Sequence, residues 1–242
     1  VPYLLAELER ETLSPAAQEA VQSIEAWAAR PVASRDSEAA LIFQQWYMES
    51  ARAVFVTSLG DELYARLLRR SYPLNHALDT LIVTDRFDSW WPDTAGKTLA
   101  RALDKTVATL TATTGPAPAN WRLDQQQAVG LEHELSKAVP LLRRLFAAPS
   151  MPWGGSTSTV GRASYSYSRP FEVTHGATVR AVGEMGDTPR LKSVIPGGQS
   201  GHPLSDHYDD QFSAWREGNL LPIRSSPGAP FASQLVLRPA SP

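Results

Sequence analysis

Residues 196–211 read Pro196-Gly197-Gly198-Gln199-Ser200-Gly201-His202-Pro203-Leu204-Ser205-Asp206-His207-Tyr208-Asp209-Asp210-Gln211. Glycines at this density let backbone pass close to another segment, with Gln199 and Ser200 placed to satisfy buried backbone groups. Asp206 is a natural N-cap for a helix predicted over Tyr208–Glu217 and ended by Gly218, and acids in a first turn suit the helix dipole. Two chemical readings compete with this loop-and-cap account. His202, Asp206, His207, Asp209 and Asp210 carry the donor types of a zinc, iron or manganese site. His207 and Asp210 can share a helical face, but Asp206 and His207 are neighbours and point apart. Gly198-Gln199-Ser200-Gly201-His202 approaches a nucleophile elbow around Ser200, yet it lacks the closing glycine. Pro203 also interrupts where a helix should follow directly. The loop-and-cap account is the stronger.

Upstream of this stretch the pattern is one of short strands between Gly and Pro breaks. Ala163-Ser164-Tyr165-Ser166-Tyr167, Thr174–Val182 and Lys192–Ile195 read as strands, with Leu235-Val236-Leu237 as a last one. They are too few and too widely spaced for a self-contained sheet, so each reads as a strand added to a sheet whose other members lie elsewhere. Gly154-Gly155-Ser156-Thr157-Ser158-Thr159-Val160 offers backbone amides for an anion. It lacks the lysine and spacing of a phosphate loop, and a tight turn entering a strand is the simpler reading.

Further upstream the chain is helical. Pro2-Tyr3-Leu4-Leu5-Ala6-Glu7-Leu8 enters an apolar helical pattern at once, an abruptness expected of a processed or truncated chain. Ser14-Pro15 supplies an N-cap and a first-turn proline for a helix through Val21, Ile24 and Ala28. Asp36 or Ser37 caps the next, with Phe43, Trp46, Tyr47 and Val54 at helical spacing, closing near Gly60. Asp61 opens a helix through Leu63, Leu67 and Leu68 that Pro73 stops, and Leu74–Phe87 forms another. Trp90-Trp91-Pro92 reads as a loop. Leu99, Leu103, Val107 and Leu110 make a stripe over Ala95–Thr111, and residues 112–120 make a wide turn. Leu131–Phe146 is expected to hold short helical pieces around Pro140.

The totals exclude several classes. At 242 residues, 43% hydrophobic and 20% charged, the chain has globular composition. A net charge of −2 with mixed signs gives no basic field for nucleic acid. No apolar run approaches the roughly 18 residues of a membrane span. The absence of cysteine excludes disulfides, thiolate metal sites and a cysteine nucleophile. His76, His133 and His175 stand far apart and read as surface or satisfied core residues. Trp27, Trp46 and Tyr47 read as core, and Arg69-Arg70 and Arg143-Arg144 as solvated helix ends. From the residues alone, no catalytic set assembles.

Gly198-Gln199-Ser200-Gly201 with His207-Tyr208-Asp209-Asp210-Gln211 nevertheless resembles the C-terminal signature of the penicillin-acylase (penicillin amidase) family of N-terminal-nucleophile hydrolases. The resemblance extends along most of the chain. Pro2-Tyr3-Leu4-Leu5 with Leu8 resembles the helix start after that family's oxyanion-hole and arginine region. Ser14-Pro15 through Trp27 is similar to a stretch the family ends with Trp-Asp-Gly, where this chain has Trp27-Ala28-Ala29. Trp121 occupies the place of a family tryptophan before a late loop. Gly154-Gly155 with Thr159-Val160, and Phe171-Glu172-Val173-Thr174-His175-Gly176-Ala177 with Arg180, resemble a glycine-rich turn and the strands that follow. Gly161 stands where the family often has asparagine.

The resemblance implies an α+β fold, the C-terminal part of a β-chain in a four-layer α-β-β-α sandwich. Residues 1–147 would be part of a largely helical insertion, and residues 148–242 a mixed region completing the sandwich. It implies amide hydrolysis through an acyl-enzyme on an N-terminal serine, after autoproteolytic processing, with the serine's own amino group as base. Val1-Pro2 cannot supply that nucleophile. No catalytic, cofactor-binding or metal-ligating residue is therefore assigned within this chain, which alone is expected to be inactive; calcium is possible in a full enzyme. Glu184 is the one residue with a possible orienting role. Substrates of such a family are linear amides: penicillins, cephalosporin side chains or N-acyl-homoserine lactones, hence antibiotic conversion or quorum quenching. The partners expected are the remaining α- and β-chain segments of the precursor, with no nucleic acid and no membrane span, in a periplasmic or secreted bacterial setting. The alternative is a stand-alone, non-catalytic binding or structural module.

Overall fold

The computed structural model describes residues 1–84, 88–130, 139, 150–187 and 190–223. The helical pieces expected in 131–146 and the strand expected at 235–237 fall almost wholly outside those residues. The fold is α+β, and the chain divides into two compact units, Val1–Gly176 and Ala177–Pro242.

The first unit begins with four helices, of which the second and third are capped by Ser14 and Ser37, as the sequence indicates. Helix α1 is Pro2–Leu8, and α2 is Pro15–Ala28, where the Ser14 hydroxyl accepts from the Ala17 amide and donates to Asp104 at 2.6 Å. Helix α3, Glu38–Leu67, is capped by Ser37, whose side chain accepts from the Ala40 amide. At Gly60 its backbone leaves the helical region (φ 73°, ψ 163°), so two helical stretches meet there, at the glycine that the sequence marks as an end. Helix α4 is Ser71–Thr84. Pro73 thus lies in the first turn of α4 rather than stopping the helix before it; a missing amide costs nothing where no intrahelical acceptor exists.

Helix α5, Ala95–Thr114, is capped by Thr94 and packs on α3, α2 and α1. Trp46, Leu99, Leu103 and Leu110 are buried at this junction, and the Trp46 indole donates to the Leu99 carbonyl at 3.0 Å. Gly96 admits α1: a β-carbon there would lie 2.6 Å from the Glu7 carbonyl oxygen. One-turn 3₁₀ helices occupy Asp88–Trp90 and Pro118–Asn120, and a short α6 spans Leu123–Gln126.

The strands of this unit are two residues long. β1 (Ala128–Val129) pairs antiparallel with β2 (Met151–Pro152) and parallel with β4 (Glu172–Val173); β3 (Ala163–Ser164) pairs with β5 (His175–Gly176). Tyr165–Tyr167, expected to continue a strand, instead form a buried aromatic turn against Phe171.

The second unit is a three-stranded antiparallel sheet with one helix. β6 (Arg180–Glu184) pairs with β7 (Arg190–Val194), which pairs with β8 (Leu221–Ile223). Helix α7 is Phe212–Glu217 and ends at left-handed Gly218 (φ 78°). Tyr208–Gln211, expected in the helix, is a turn before it.

Candidate functional site

The glycine-rich stretch of the second unit is a folded-back loop whose tightest point is Gly198. A β-carbon there would sit 2.0 Å from the His207 carbonyl oxygen and 2.6 Å from Asp210 Oδ1. The crossing is held by the Ser200 amide on the His207 carbonyl (3.0 Å) and the Gln211 amide on the Gly197 carbonyl (2.9 Å). Gln211 Oε1 accepts from the Ile195 amide at the end of β7. The loop thereby joins the sheet to α7. Trp215 of α7 is buried, its indole donates to the Ala177 carbonyl at 2.8 Å, and the Arg180 guanidinium lies 5.3 Å over its ring while donating to the Trp215 carbonyl.

The polar residues of the loop are turned mostly to local bonds. Ser200 Oγ accepts from the His202 amide, and His202 Nδ1 accepts from the Leu204 amide. His207 Nδ1 pairs with Asp210 Oδ2 at 2.9 Å on the surface, and this hydrogen bond, with the carboxylate's charge, raises the imidazole pKa. Among the described residues no group of three or more His, Asp or Glu is arranged to hold a metal ion. Ser200 follows bends and turns, not the strand-to-helix corner of an elbow.

In the first unit the Gly154-Gly155 segment spends its amides internally. Gly155 donates to the Ala33 carbonyl at 2.7 Å, Ser156 to Thr159 Oγ1 and Ser158 to Ser156 Oγ. Gly155 has φ +86°, and a β-carbon there would fall 1.8 Å from the Gly161 carbonyl oxygen. Fully buried Gln127 donates to the Trp153 and Gly155 carbonyls and fastens the turn to α6 and β1. The segment is a turn with its donors consumed.

The remaining sequence candidates are dispersed. His76 is exposed on α4, His175 Nδ1 bonds Thr174 Oγ1 on the exposed β5, and His133 is outside the described residues. Glu184 is exposed at the end of β6, opposite Arg190.

The first unit also holds a cleft of about 220 Å³. Tyr47 donates to Asp79 Oδ1 at 2.7 Å, Tyr167 to Asn75 Oδ1 at 2.6 Å and Tyr165 to Gln44 Oε1 at 3.1 Å. Burial pushes all three phenol pKa values up, so the hydroxyls are neutral donors at any physiological pH. Sequence reading misses this cleft. Its traces were the i, i+4 pair Asn75 and Asp79 on one face of α4, and Tyr165 and Tyr167 two residues apart.

The family model described as Penicillin amidase matches residues 1–229, and the chain belongs to that family. It is similar to the penicillin acylase 2 proenzyme of Pseudomonas sp. (strain SE83), 35% identical over 91 residues, covering 38% of this chain and 12% of that protein. It is similar to the acyl-homoserine lactone acylase QuiP of Pseudomonas aeruginosa, 26% identical over 236 residues, covering 87% of this chain and 27% of that protein. The fold resembles a thermostable penicillin G acylase from Alcaligenes faecalis in an orthorhombic crystal form. That match has a TM-score of 0.53 at 14% identity and covers 99% of this chain and 46% of that one. The chain thus spans only a minor part of the length of these curated relatives.

Proposed function

We propose that this chain is the C-terminal part of a penicillin-acylase-like amidohydrolase. The whole enzyme would hydrolyse a linear amide, a β-lactam side chain or an N-acyl-homoserine lactone, through an acyl-enzyme on an N-terminal serine outside this sequence. In this reading residues 1–147 belong to a helical insertion and residues 148–242 complete the α-β-β-α sandwich. Processing of the precursor would supply the other chain segments, a setting to which the word proenzyme in one relative's name lends support. Calcium, if the full enzyme holds it, and export to the periplasm or beyond belong to the same proposal. No helix among the described residues is long and apolar enough to cross a membrane.

The observation that carries the layering is the three-stranded sheet of the second unit. Register places Arg180 and buried Val194 on the face that meets Trp215. It places Ala181, Gly183, Leu191, Ser193, Leu221 and Ile223 on the other. Leu191, Leu221 and Ile223 are 45%, 40% and 51% exposed. A sheet with a helix on one face and exposed Leu191, Leu221 and Ile223 on the other supports the sandwich reading, in which a second sheet would bury that face.

The test is the intact mass of every polypeptide in the purified, denatured protein, followed by hydrolysis assays on penicillin G and N-acyl-homoserine lactones. Additional chains together with amide hydrolysis are expected. A solitary 26.4 kDa chain that is nonetheless active on those amides would overturn the assignment of the nucleophile to another segment.

A further inference from the structure

We propose that the cleft between α3, α4 and the Tyr165–Tyr167 turn binds a small organic ammonium ion, a function separate from amide hydrolysis. Four aromatic rings line it: Phe43, Tyr47, Tyr165 and Tyr167. Asp79 is the carboxylate among the lining residues, and none of them is Lys, Arg or His. The phenol protons are committed to Asp79, Gln44 and Asn75, so the hydroxyls offer a ligand oxygen lone pairs rather than donors. Neutral phenols and one carboxylate leave the cleft with a single negative charge. An anion finds no cationic side chain among the lining residues, and the phenol donors are already spent. A cation gains the carboxylate and the aromatic lining.

Size narrows the class. The cleft, of roughly 220 Å³ and open to solvent, has room for a compact head group such as choline.

The test is titration of the 242-residue chain with choline, followed by calorimetry and by NMR of the tyrosine rings. Its uncharged isostere 3,3-dimethyl-1-butanol is the control. Saturable choline binding is expected, with no saturable binding of the alcohol. Asp79→Asn, an exposed position whose exchange leaves the core intact, should weaken choline by about tenfold or more. Tyr47→Phe keeps a ring but frees the carboxylate, and should leave affinity within about threefold of the parent. Equal binding of choline and the alcohol overturns the proposal, as does indifference to Asp79→Asn. Absence of binding at about 10 mM choline does the same.

Discussion

Gly198 and His207 touch where no side chain fits: a β-carbon at 198 would lie 2.0 Å from the His207 carbonyl oxygen, far inside any real contact. The neighbouring atoms are backbone and a bonded carboxylate, not the free end of a flexible chain, so the loop itself must open to admit a methyl group. Gly198→Ala is expected to destabilise the second unit by about 1–3 kcal/mol, the usual range for overpacking a tight site. Hydrogen exchange should show the change first at the Ser200 and Gln211 amides, which close the crossing. Unchanged protection of both amides would refute the account.

His207 and Asp210 give the same loop a pH dependence. The hydrogen bond from the His207 ring to the Asp210 carboxylate, then that carboxylate's charge, holds the imidazole pKa above its ordinary value. A raised folded pKa means the contribution is fully present below the unfolded value of about 6.5 and is lost as pH rises through the folded value. NMR titration of His207 should give a midpoint above 6.5 that falls on Asp210→Asn. Because the pair is on the surface, salt should shrink the difference.

The core of the first unit makes a larger prediction. Trp46 is fully buried between α3 and α5 and bonds the Leu99 carbonyl. Trp46→Ala is expected to cost about 3–5 kcal/mol in urea unfolding, against about 1–2 kcal/mol for losing the Ser37 cap by Ser37→Ala. A smaller loss at Trp46 than at Ser37 would mean that the helices are not joined through this indole.

These contrasts also explain what the sequence made legible. Ser14, Ser37 and Gly60 act on their own immediate neighbours, by capping or by leaving the helical region, and each marks the boundary it was read to mark. Pro73 misleads because a proline that ends one helix and a proline in the first turn of the next are the same letter. The strands β1, β2 and β4 are two residues long and paired across long stretches of chain, so no period-2 pattern exists to find them. The family was legible from residue identities spread along the chain, and within the C-terminal stretch Gly198 is the position where the backbone crossing excludes a side chain. The tyrosine cleft was not, since Tyr47, Asp79 and Tyr167 meet only once α3, α4 and the 165–167 turn are packed.

The uncovered face of β6–β7–β8 gives the most discriminating prediction. Leu191, Leu221 and Ile223 share that face with Ala181, Gly183 and Ser193 by register, whereas Lys192, Arg190 and Glu184 point the other way. An apolar face of this kind attracts a hydrophobic dye when nothing covers it. The isolated chain should therefore bind 1-anilinonaphthalene-8-sulfonate, and Leu191→Ser with Ile223→Ser should reduce the signal. Val182→Ser, on the charged face although 58% exposed, should not. On the sandwich reading, co-expression with the proposed remaining precursor segments should abolish dye binding by the parent chain, because a second sheet would bury Leu191, Leu221 and Ile223. If the parent chain alone binds no dye and unfolds cooperatively, its sheet is complete as it stands and the half-sandwich reading fails. If dye binding survives assembly, the half-sandwich reading fails as well.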